Sequence, residues 1–110
     1  MHMSATSSTM QSRAREALRL ADADPRRSAT LATAVAKQAR DQRDHAAAAI
    51  AKRALGLATL HLEDLDTAAR HLRSAIALGR RAQSPQLVAE ARMTLAYTLS
   101  RRGRPRRLRV

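Results

Sequence analysis

Apolar residues recur every three or four positions along most of the chain, which is the period of amphipathic helices and not the alternation of half-buried strands. A first helix is predicted over 10–23, with Ala14, Ala17, Leu18 and Ala21 on one stripe. Asp24-Pro25 opens the second: the Asp side chain accepts from free first-turn N–H groups, and Pro fits the first helical position. That helix runs to residue 40, with Leu31, Val35 and Ala39 on one face. The polar run Asp41-Gln42-Arg43-Asp44 ends it, and Asp44 caps a third helix over 45–62. Glu63-Asp64-Leu65-Asp66 is the next break, and Asp64 or Asp66 caps a fourth helix carrying Leu65, Ala69, Leu72, Ile76 and Gly79. Ser84-Pro85 repeats the cap-plus-proline device and opens a fifth, with Val88, Ala91, Leu95 and Leu99, which Gly103 and Pro105 stop. Such short connections set neighbouring helices antiparallel.

The chain also resembles itself. Residues 51–59 align with 91–99 at an offset of 40, bringing Leu55-Gly56-Leu57 onto Leu95-Ala96-Tyr97. Leu31, Ala34, Val35 and Arg40 align with Leu72, Ala75, Ile76 and Arg81 at an offset of 41. Small residues recur as pairs, Gly56 with Ala96 and Ala34 with Ala75, as close helix approach requires. A helix-pair repeat of about 40 residues accounts for both alignments, each pair burying its apolar face against the next. The expected fold is all-α, an antiparallel helix-pair solenoid of about five helices.

Composition agrees. Among 110 residues, Ala (25) and Leu (14) supply most of the apolar content and Tyr97 is the sole aromatic, which disfavours strands. Cysteine is absent, so no disulfide, thiol nucleophile or thiolate metal site can form. Charge-free stretches such as 28–36 and 54–62 run nine residues, against the ~20 apolar residues of a membrane span. The expected location is cytoplasmic, with no membrane partner. Residues 1–10, rich in Ser and Thr, are expected as a disordered N-terminus, 11–102 as the helical repeat domain, and 103–110 as a basic tail.

At this point the residues resemble tetratricopeptide repeats. Leu55-Gly56, followed by Ala68, Leu72 and Ala75, falls at that family's spacings, and the 40-residue period is similar to its long bacterial variety. Residues 72–85 resemble the helical arrays that precede CHAT peptidase domains. Lys52, Arg92, Thr59 and Leu99 depart from it, standing where the family often has aromatics. The resemblance implies a non-catalytic protein–protein interaction module, a scaffold or regulatory array, possibly part of a larger CHAT-type protein, binding along a concave face made by the first helix of each pair. Carried onto this chain, that face is Arg53, Leu57, Leu60 and His61 on the third helix and Glu90, Met93, Tyr97 and Arg101 on the fifth. Arg53 and Arg101 would meet acidic groups, while Tyr97 would add apolar area. The plainer reading makes Leu57 and Leu60 core. Expected partners are another protein or peptide, further repeats of a longer array, or a second copy through helix 84–101, whose apolar face no following helix covers.

The net charge of +12 opens an alternative. Half of that excess lies in residues 101–110, where Arg101, Arg102, Arg104, Arg106, Arg107 and Arg109 could hold phosphates by counterion release. A small basic nucleic-acid-binding helical protein is therefore the second reading. Enzyme chemistry finds no support. Three glycines make no phosphate loop, no nucleophile elbow surrounds any Ser, and Asp41, Asp44, Asp64 and Asp66 suit caps better than acid–base pairs. His61, His71 and Glu63 flank one turn without zinc-site spacing. No catalytic residue, cofactor or metal is expected.

Overall fold

The computed structural model describes residues 2–103, with side chains from Thr9 onward. Its helices are α1 (His2–Leu20), α2 (Pro25–Asp41), α3 (His45–His61), α4 (Leu65–Arg81) and α5 (Pro85–Gly103), and the described residues contain no strand. The Arg-rich segment 104–110, with Pro105 and four of the candidate phosphate-binding arginines, lies outside the described residues.

One turn is used three times. Helices α2, α3 and α4 each span 17 residues and start twenty positions apart, separated by three residues. The middle residue of each connection, Arg43, Glu63 or Gln83, is left-handed, with φ of 56°, 67° and 55°. Its N–H donates to the carbonyl of Arg40, Leu60 or Arg80, and the next N–H reaches back to Ala39, Thr59 or Gly79, which is the Schellman pattern. That next residue then caps the following helix. Asp44 accepts from the Ala47 N–H at 3.0 Å, Asp64 from Thr67 at 3.2 Å, and Ser84 from Leu87 at 3.2 Å. Stop and start signals thus share one residue, which fixes the antiparallel hairpin. Asp66 lies in the first turn of α4 and is not its cap. The first connection differs: the Asp24 N–H bonds to the Leu20 carbonyl and its side chain takes the Arg27 N–H.

The helices form two layers, α1, α3 and α5 in one and α2 and α4 in the other. Helix α3 touches all four others, while α2 and α4 lie apart. Accordingly α3 is buried nearly all round, from Ala47 to Leu60. The core is small-residue packing: Ala14, Val35, Ala36, Ile50 and Ala51 form its centre, and Ala17, Ala32, Ala54 and Leu55 extend it.

Several expectations need correction. The Ser/Thr-rich start has helical backbone from His2, as the first part of α1. It contains neither Gly nor Pro, and Ser or Thr costs a helix well under ~1 kcal/mol per residue relative to Ala. Helix α1 also stops at Leu20, because the following residues turn to bring Asp24 to its capping position. The repeat offset is 40 throughout. Ser28, Ala32, Val35 and Ala39 are buried on α2 where Ala68, Leu72, Ala75 and Gly79 are buried on α4. The offset of 41 came from matching half-buried Leu31 and Ile76 by size to Leu72 and Val35, whose buried equivalents are Ala32 and Ala75. Ala34 consequently faces solvent, as does Ala96. On α5 the buried stripe is Ala91, Thr94 and Thr98, whereas Val88 and Leu95 are half-buried and Leu99 is exposed. The threonine hydroxyls donate to the Glu90 and Thr94 carbonyls of their own helix, so burying them leaves no unmet donor.

Candidate partner-binding groove

Because two hairpin reversals separate them, α3 and α5 run in the same direction with a shallow groove between them. Its walls are Arg53, Leu57, Leu60 and His61 from α3 and Glu90, Met93, Thr94 and Tyr97 from α5, enclosing about 330 Å³. Seven of the eight residues singled out in the sequence are therefore brought together. Leu60 is 3% exposed and belongs to the floor, whereas Met93 is 73% and Tyr97 57% exposed. A large apolar side chain held that far into water costs solvation without returning packing within this chain.

The polar residues act differently from expectation. Arg53 is turned toward α5. Its Nε donates to Thr94 Oγ1 at 3.3 Å, and a terminal nitrogen lies 3.8 Å from Glu90 Oε1. The other Glu90 oxygen accepts from Gln86 at 3.2 Å. Arg53 and Glu90 thus clasp the two helices that frame the groove, and Arg53 already has its acidic group within the chain. Arg101 does not line the groove. It sits beyond Tyr97, forked onto Glu63 at 3.1 and 3.3 Å, and Arg102 lies 3.3 Å from Asp66. These exposed pairs are each worth at most about 1 kcal/mol, so a competing anion can displace them. Thr94 is the groove residue that sequence reasoning missed. A threonine on a predicted apolar face gives no signal except its offset of 40 from buried Ala54.

Charge is shifted on the opposite side of α3. Burial, followed by the nearby Lys52 and Arg70 charges, pushes the His71 pKa down, with Asp64 opposing. Lys52 is pushed down by burial and by Arg40. The Asp64 carboxyl is held below its usual value by its hydrogen bonds with Thr67. Among the described residues, no three His, Asp or Glu side chains gather as a metal site would require. No described helix is long and apolar enough to cross a membrane.

Fold and groove together define the chain as an all-α helix-pair array with an open lateral groove. Searches of protein-family models, curated proteins and solved structures find no match.

Proposed function

We propose that this protein is a non-catalytic interaction module of the tetratricopeptide-like kind, whose α3–α5 groove receives a segment of another protein. The observation that carries the reading is the exposure of Met93 and Tyr97 over a floor of Leu57 and Leu60. Tyr beside buried aliphatic groups is a common composition of binding hot spots. The Arg53–Glu90 clasp supports it, because a groove with a fixed wall spacing binds without first being ordered. Membership of a longer array, such as one attached to a CHAT-type domain, is compatible with this reading, and the cytoplasm fits a cysteine-free chain.

The nucleic-acid reading has less behind it. Arg101 and Arg102 lie in weak, exposed pairs with Glu63 and Asp66 that form no built phosphate site, and the remaining tail arginines lie outside the described residues.

The test is capture from lysate on the immobilised full chain, with and without nuclease, beside Tyr97→Ala and Met93→Ala. Nuclease-resistant capture that both substitutions weaken, at unchanged melting temperature, supports the groove. Capture that vanishes with nuclease, or that ignores both residues, overturns it.

A further inference from the structure

A second surface lies on the other side of α5. Gly79 and Arg80 at the end of α4, Gln83 and Ser84 in the turn, and Pro85, Val88, Ala89 and Arg92 on α5 line an open cleft of about 450 Å³. The internal repeat shows what such a cleft holds. Shifted back by 40, Gly79, Val88, Ala89 and Arg92 become Ala39, Ala48, Ala49 and Lys52. There the surface is covered: Ala48 and Ala49 are 2% and 3% exposed, and Leu78 of α4 packs against the cluster containing Ala39 and Ala48. At the second occurrence Ala89 is exposed and Val88 only half-buried. The equivalent of tightly packed Gly56, Ala96, is likewise open.

Charge narrows the occupant. Arg80 and Arg92 flank the cleft, no acid lines it, and neither guanidinium is ion-paired among the described residues. Of their internal counterparts, Arg40 and Lys52, the second lies within charge range of His71 of α4, seven residues before Leu78 and on the same helical face. A second copy of this strongly basic chain would set like charges against each other here.

We propose that this cleft binds an amphipathic helix that carries an aliphatic side chain and, two turns before it on the same face, a carboxylate. The helix continues the array by lying on α5 as α4 lies on α3. The aliphatic group lies over the contacting pair Gly79 and Val88, as Leu78 lies against Ala39 and Ala48 one repeat earlier, and the carboxylate lies beside Arg92, as His71 lies near Lys52. This surface is separate from the α3–α5 groove and does not depend on it.

Synthetic peptides of residues 64–82 test the proposal on the full chain by fluorescence anisotropy. Both carry Leu72→Ala, because Ala96 replaces Gly56 beneath that position. One adds His71→Glu and the other His71→Lys. The Glu peptide is expected to bind about fivefold tighter or better than the Lys peptide at low salt. Arg92→Glu in the protein should invert that order, and Ala89→Trp should weaken both by at least about tenfold. Tyr97→Ala, in the other groove, should change neither, which separates failure here from failure of the groove. Equal affinity of the two peptides, or no saturation of either by about 1 mM, overturns the proposal. So does sedimentation showing a dimer of the chain that Ala89→Trp dissolves, which would assign the face to a second copy.

Discussion

Leu72 of α4 closes over Gly56 of α3, so that a methyl group built on Gly56 would lie 2.7 Å from Leu72 Cγ and 2.8 Å from its Cδ2. Leu72 is fully buried and has no room to retreat. Gly56→Ala therefore gains helix propensity but overpacks the α3–α4 interface, and it is expected to lose about 1–2 kcal/mol net in denaturant unfolding. The equivalent Ala96 has nothing over it, so Ala96→Gly should lose only about 1 kcal/mol of propensity. Leu72→Ala in the Gly56→Ala background should be less damaging than in the wild type, because the added methyl occupies part of the space vacated.

The three left-handed turn residues are not glycine. An L-residue with a side chain costs roughly 1–2 kcal/mol in that conformation, and glycine's greater freedom when unfolded returns roughly half of the gain. Arg43→Gly and Gln83→Gly should each raise stability by about 0.5–1 kcal/mol, and Arg43→Val should lower it. Thermal melts of the single variants check this. Glu63→Gly is a poorer probe, since it also removes the partner of Arg101.

Ser28 answers a local need that Ala68, its repeat equivalent, does not share. Helix α1 ends here, with the Ala21 N–H 3.2 Å from the Leu18 carbonyl, and the Ala17 carbonyl in this last turn has a lone pair open to another donor. The buried Ser28 hydroxyl donates to it at 2.7 Å. Ser28→Ala should cost about 1 kcal/mol, the net worth of a buried hydrogen bond. Ala68→Ser, where α3 continues through an intact Schellman turn, should bring no gain. Chemical denaturation of both variants decides it.

The shift at His71 has a direction in pH. Its folded pKa lies below the unfolded value of 6.5, through burial first and then Lys52 and Arg70. Protonation is thus easier in the unfolded chain. Stability is complete above about pH 6.5 and falls as acid carries the solution through the lower folded value. The melting temperature should drop between pH 7.5 and 5.5, and His71→Gln should flatten that drop. Asp64, also lowered, acts in a separate window below its ordinary 3.8 and should leave this one untouched.

Much of this architecture was legible from local chemistry. Asp24, Asp44 and Ser84 announce helix starts because a short polar side chain and, at two of them, a following proline suit that position. The choice of the groove face came from the resemblance to tetratricopeptide repeats, and i, i+4 spacing placed each set of residues on one side of its helix. What stayed hidden depends on tertiary partners. Nothing local says that Thr94 and Thr98 turn inward while Leu99 turns out, since the choice follows from which side α3 and α4 occupy. Nor does spacing reveal that Arg53 meets Glu90 across helices before it meets any partner. The one-residue error in repeat register has the same origin: matching by size paired Leu31 with Leu72 and Val35 with Ile76, whereas the buried equivalents are Ala32 with Leu72 and Val35 with Ala75.

Side-by-side placement of α3 and α5 underlies the groove and the repeat itself. The most direct test is a methyl-resolved nuclear Overhauser spectrum of the full chain in solution. It should show the Thr94 methyl close to the side-chain methylenes of Arg53, whose Nε reaches Thr94 Oγ1 at 3.3 Å. A Thr94 methyl that sees only α5 and α4 would contradict the account.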